Sequence, residues 1–181
     1  MRYLLLMIAS LLMSGCGIPV DTEPEGLVLD VEAPVEAQTT PPEDLAAVSV
    51  YLIRDERIVH VTRDLPSPAS PDEILRSLLE GVTGPEERVN LRTSISTETQ
   101  LLGLREQGSV LHVDLSRDFA GMGGEEETLA IAQIVLTLTS IEGIESVEFA
   151  LDGVQTDVPV SDGALSDRPV SANDYQVLVS P

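Results

Sequence analysis

The sequence predicts an α+β domain in which a mixed or antiparallel sheet is covered by two helices. Three observations predict it. Apolar runs rich in β-branched residues come in pairs split by turn residues, leucine-rich segments with helical spacing follow each pair, and the resulting order is ββαββαβ. These elements fill residues 45–175, and 181 residues leave room for about one such domain.

Val48-Ser49-Val50-Tyr51-Leu52-Ile53 reads as the first strand, and Asp55-Glu56 as a tight turn. From Arg57 to Arg63 the pattern alternates, with Ile58, His60 and Thr62 on one face and Val59 and Val61 on the other, which makes a hairpin partner with one buried side. Ser70-Pro71-Asp72-Glu73 is a complete helix start: a capping hydroxyl, proline at the first helical position, and an acid three residues after the cap. The helix it opens runs to about Glu80, buries the stripe Ile74, Leu75, Leu78 and Leu79, and ends at Gly81.

A connection bearing Gly, Pro and Arg leads to a second hairpin, Leu101 to Glu106 and Val110 to Leu115, turned at Gln107-Gly108-Ser109. Leu111, Val113 and Leu115 share its core face. The loop Gly121 to Gly124 precedes a helix from Glu125 to Ser140, whose three leading glutamates suit the positive end of its dipole. Leu129, Ile131, Ala132, Ile134, Val135, Leu136 and Leu138 make that helix apolar around most of its circumference, so it is predicted to be the buried centrepiece. Gly143 opens a last strand with Val147, Phe149 and Leu151 inward, followed by the turn Asp152-Gly153 and a short return near Val158. Residues 176–181 are read as a C-terminal tail.

Residues 1–15 look like a signal peptide: Met1-Arg2 is a short positive start, and the apolar run Tyr3 to Met13 is too short to span a bilayer. Met13-Ser14-Gly15-Cys16 then resembles a lipobox, in which the cysteine becomes the first mature residue and carries acyl chains, palmitate among them. Two or three chains hold a protein stably where one holds it marginally, at about 0.8 kcal/mol per buried CH₂. Cys16 is thus the expected lipidation site and the membrane the first expected partner, with the protein lipid-anchored at the extracytoplasmic face of the cell membrane. Residues 16–44 are rich in Pro, Glu and Asp and contain no basic residue. Such a stretch cannot bury enough apolar surface to offset its ordering entropy, and it reads as a disordered tether with a root-mean-square span of about 30 Å. An acidic recognition peptide is the alternative use of this composition.

Composition narrows the function classes. The formal charge is −21 and every basic residue is arginine, so Schiff-base lysines and a phosphate-gripping P-loop lysine are excluded. A surface this acidic repels nucleic acid and anionic headgroups, which argues against DNA and RNA partners. Apolar residues make up 43 % of the chain but there is no Trp, three Tyr and two Phe, so the core is aliphatic and platforms for stacking bases or sugars are scarce.

No candidate chemistry is complete at the level of sequence. His60 and His112 lie on strand faces opposite the aliphatic stripe, without a second ligand at local spacing, where zinc needs three or four. Asp114 and Ser116 place an acid near a nucleophile, but an activated serine needs an oriented base, and a polar turn that closes the strand is the favoured reading. Glu125, Glu126 and Glu127 with Asp118 could gather calcium, although they lack the alternating spacing of a calcium loop and serve helix capping as they stand. The glycines at 121, 123 and 124 imitate a phosphate cradle, which the acids that follow would oppose. No catalytic, cofactor-binding or metal-ligating residue and no cofactor is therefore assigned.

The run Val110-Leu111-His112-Val113-Asp114-Leu115-Ser116 with Phe119, then Leu129-Ala130 to Thr139, then Val147-Glu148-Phe149 to Asp152-Gly153, resembles the GerMN domain of sporulation and spore-germination lipoproteins. Arg168-Pro169-Val170 and Asp174-Tyr175 extend the resemblance toward the C-terminus, as in single-domain actinobacterial members. The resemblance implies a fold similar to ring-building motifs. It also implies a non-catalytic interaction or scaffolding role in the cell envelope, with an envelope protein or a second copy of the chain as partner. A weak hydrolase or ligand-binding domain acting on a cell-wall polymer is the alternative.

Overall fold

The computed structural model describes residues 44–121 and 123–181. Within them, strands β1 (Leu45–Arg54) and β2 (Arg57–Pro66) form an antiparallel hairpin whose turn residues Asp55 and Glu56 both take positive φ, at 50° and 60°. That left-handed pair matches the twist of the flanking strands. Val48, Val50 and Leu52 point to the core, opposite Arg63, Val61 and Val59 respectively, while His60 is exposed on the other face. Near the turn both outer edges are paired: Ile53 bridges to Arg92 and Ile58 to Val179.

Helix α1 (Pro71–Leu79) starts on the predicted capping box, with Glu73 N–H donating to Ser70 Oγ and Ser70 N–H to Glu73 Oε2. It ends before Gly81, where φ is +86°. The connection that follows holds an element absent from the sequence reading, a one-turn helix α2 (Gly84–Arg88) with its own capping box between Thr83 and Glu86. Thr83-Gly84-Pro85-Glu86 carries the same local signal as the start of α1, but five residues are too few to show periodicity.

Strands β3 (Leu101–Gln107) and β4 (Val110–Leu115) form the second hairpin, interrupted by a register shift between Leu101 and Gly103. After a 3-10 turn at Arg117–Phe119, helix α3 (Gly124–Thr139) crosses over to β5 (Ser146–Leu151), which lies parallel to β4. Parallel neighbours require such a crossover. β6 (Val154–Gln155) completes a mixed sheet of order β3-β4-β5-β6, and β7 (Val158–Pro159) pairs with β8 (Leu165–Ser166) in a small hairpin. The α+β class with mixed and antiparallel sheets is as predicted. The strands are divided among separate sheets, however, with the β1–β2 hairpin standing apart from the mixed one.

α3 is the centrepiece the sequence predicts: every residue from Thr128 to Leu138 is buried, and it packs against β1, α1, β5, β7 and the 3-10 helix Ala172–Leu178. An amphipathic stripe would not suffice for a helix enclosed on so many sides. Its two fully buried polar residues serve β1, Gln133 Nε2 donating to Tyr51 O at 2.9 Å and Thr137 Oγ1 accepting from Tyr51 N–H at 3.1 Å. The outward backbone groups of Tyr51 are thereby satisfied by side chains of the helix. The segment after Tyr175, read as a tail, docks on β2, with Ser180 N–H donating to Ile58 O at 2.8 Å. Among the described residues no helix is long and apolar enough to cross a membrane.

Candidate functional site

Two open surfaces gather the residues that the sequence singled out. The first is the outer face of the mixed sheet. Because side chains alternate, His112 and Asp114 on β4 face away from α3, and the parallel register sets Glu148 and Ala150 of β5 beside them. His112 Nδ1 contacts Glu148 Oε2, and Gln155 Nε2 donates to Glu148 Oε1 at 2.8 Å. Asp114 Oδ1 accepts from Gly153 N–H at 2.9 Å, which ties β4 to the Asp152-Gly153 turn. These residues, with Gly103 and Arg105, line a shallow groove of about 470 Å³. The pairing of His112 with Glu148 escaped the sequence reading, since only the crossover through α3 brings the two strands together.

This face does not assemble a nucleophile. Ser116 Oγ accepts from Gln100 N–H at 3.0 Å and donates to Asp118 Oδ2 at 3.2 Å, so no histidine activates it. Asp114 lies within β4, paired to β3 and β5, and Ser116 directly follows the strand's end. His60 lies on the β1–β2 hairpin, bonded to Ser49 Oγ at 2.9 Å and edge-on to Tyr51. Among the described residues no three His, Cys, Asp or Glu side chains converge to hold a metal ion.

The second surface lies at the start of α3. The three leading glutamates separate in role. Glu126 pairs with Arg92, which also reaches Glu56 in the β1–β2 turn at 2.6 Å, and it accepts from Ser94 Oγ. The Ser94 hydroxyl, joined by Arg92, holds the Glu126 carboxyl below its ordinary range against the opposing effect of partial burial. Glu126 and Asp118 are thus held by different partners. Glu125 and Glu127 instead line a groove of about 490 Å³ with Thr128, Leu129, Pro159, Asp162, Leu165 and Leu178. Leu165 is 69 % exposed there. The groove's far wall depends on Tyr175, whose fully buried ring donates its hydroxyl to Pro159 O at 2.9 Å. It depends also on Arg168, which grips Asp174 at 2.6 Å inside the capping box of the last 3-10 helix. That grip, more than the opposing burial, draws the Asp174 carboxyl below its usual range. Of these residues Tyr175 is buried in the core, while Arg168 acts at the surface through its ion pair with Asp174. Cys16 lies outside the described residues.

A crossover helix sandwiched between a hairpin and a small mixed sheet defines this α+β domain. By fold it is similar to the first GerMN domain of the sporulation protein GerM from Bacillus subtilis, at 21 % identity and TM-score 0.54 over 71 % of this chain and 98 % of that one. It is also similar to the tandem GerMN domains of the same protein, at 20 % identity and TM-score 0.56 over 71 % of this chain. This chain spans only 47 % of that tandem structure. A proposed lipoprotein from Clostridium perfringens is similar over 75 % of this chain and 93 % of its own, at 17 % identity and TM-score 0.50. No curated protein matches the sequence. The chain belongs to the Germane family, described as sporulation and spore germination, whose sequence pattern matches residues 42–157.

Proposed function

We propose that this Germane-family protein is a lipid-anchored module on the extracytoplasmic face of the cell membrane, held through Cys16, and that its domain binds another envelope protein without catalysing a reaction. The observation that carries the binding reading is the groove at the start of α3: its walls are apolar, its rim carboxylates lack arginine partners among the described residues, and it holds no serine, cysteine or histidine poised with a base. An enzyme site would bring titratable groups together, whereas a binding site needs an accessible apolar surface with a few polar groups to orient the partner. The lipobox and the likeness to a proposed Clostridium perfringens lipoprotein support the anchored placement.

The test is a photo-crosslinking residue in place of Leu165 in the full-length chain, irradiated in intact cells. A discrete adduct with an envelope protein is the expected result. No adduct, combined with turnover of a cell-wall polymer that is lost in Asp114→Ala, would replace the binding reading with the hydrolase one.

A further inference from the structure

We infer that the groove at the start of α3 takes a basic segment of its partner, with an apolar side chain seated against Pro159, Leu165 and Leu178 and arginine or lysine side chains against Glu125, Glu127 and Asp162. This rests on the binding reading and specifies the chemistry of the partner.

The lining divides into two parts. Leu129 and Pro159 are buried and form a floor, while Leu165 stands on the two-residue strand β8 with most of its surface in water. A leucine held this far into solvent on a short, pinned hairpin offers apolar area to whatever covers it. Around that floor stand three carboxylates and no basic residue. None of the ion pairs among the described residues involves Glu125, Glu127 or Asp162, although Glu126, in the same helical turn, is fully engaged by Arg92 and Ser94. The fold supplies a counterion to the glutamate that faces the hairpin and none to those that face the groove.

Charge then selects among occupants. The stretch Gly17 to Asp44 of this chain contains no basic residue and would bring only further acids into the groove. A second copy presents a net charge of −21, so self-contact here sets like charges together. Nucleic acid and anionic lipid are repelled for the same reason. A cationic segment with an apolar side chain complements both parts of the lining. The occupants also differ in their response to salt: screening weakens attraction to a basic segment and strengthens contact between acidic copies.

The experiment uses the full-length protein in detergent micelles and fluorescein-labelled peptides in which one leucine is flanked by arginines, the leucine is replaced by glycine, or the arginines are replaced by glutamates. The arginine–leucine peptide is expected to bind saturably and progressively more weakly as salt is raised, with the other two at least about tenfold weaker. Joint substitution Glu125→Gln, Glu127→Gln and Asp162→Asn should cost about tenfold in affinity while the urea midpoint stays near that of wild type. Leu165→Ser, at an exposed position, provides a second variant with the same expected loss should the triple variant unfold. Equal binding of the glycine peptide, or indifference to both variants, would overturn the inference by reducing it to diffuse charge attraction. Self-association that tightens with salt and is lost in Leu165→Ser would overturn it in favour of a second copy. Crosslinks from position 165 in cells without any peptide binding would overturn the cationic chemistry and leave the binding reading standing; absence of both would remove the two together.

Discussion

Arg63 ties three elements together, and Arg63→Ala should be among the most damaging single substitutions in the domain. From the inward face of β2 its guanidinium makes a two-pronged contact with Glu86 of α2, at 2.9 and 2.7 Å, and donates to the Gly81 carbonyl at 2.7 Å and to that of Ser77. Side-chain exposure is 10 % for both partners, so this is a buried pair rather than a surface one. Removing one partner of a buried pair costs about 3–5 kcal/mol, because the other charge stays behind without water. Two carbonyls at the end of α1 also lose a donor. With a urea slope of about 2 kcal/mol per molar, a loss of about 4 kcal/mol lowers the midpoint by about 2 M, a large part of a typical domain's total stability. Acid titration provides an independent check. Burial pushes the Glu86 carboxyl up, but its bonds from Arg63 and the Thr83 N–H outweigh that and hold it below its ordinary value. A carboxyl depressed in the folded state stabilises above its unfolded pKa of about 4.3, and that stabilisation is lost as pH falls through the folded value. In Arg63→Met only the Thr83 bonds are left to oppose burial, so the stability gap from wild type should narrow as pH falls below about 4.3. Arg63→Met combined with Glu86→Leu should recover most of the loss. A midpoint change worth less than about 1 kcal/mol in Arg63→Ala would show that the pair behaves as an exposed one and refute the clasp.

Three further outcomes follow from the fold and the anchor. Leu138→Ala should cost about 2–5 kcal/mol and Val135→Asp should prevent folding, whereas His112→Ala, which breaks only a partly exposed contact with Glu148, should cost less than about 1 kcal/mol; urea midpoints in the reverse order would mean that the faces of α3 and β4 are misassigned. Gln133→Leu should cost about 2–4 kcal/mol by stranding the Tyr51 carbonyl and the Ser94 N–H, with faster amide exchange at Ser94 as the local readout; unchanged exchange there would speak against the contact. Cys16→Ser should shift the protein out of the membrane fraction or leave an unprocessed precursor, and a mature-sized species still sedimenting with membranes would end the lipoprotein reading.

Local chemistry was legible in the sequence wherever a few neighbouring residues decide the outcome. The Ser70 capping box, the strand pair around Asp55-Glu56, and the hairpin turned at Gly108 all stand within a few residues of their predicted places, because caps and turns satisfy backbone groups nearby in the chain. The all-round apolar pattern of α3 announced a central helix in the same way, since no exposed helix tolerates it. The five-residue helix α2 escaped for want of length, although its capping box was written in Thr83 and Glu86. What only the tertiary structure decided are the relations across long separations. It set Glu148 beside His112 through a parallel register, closed Arg63 onto Glu86, and gave Glu126 an arginine while leaving Glu125 and Glu127 to line a groove. Each depends on which faces meet when the aliphatic core closes around α3. Hydrophobic burial is non-directional, so the pattern of apolar residues dictates that these surfaces pack without dictating which polar side chains end up as neighbours.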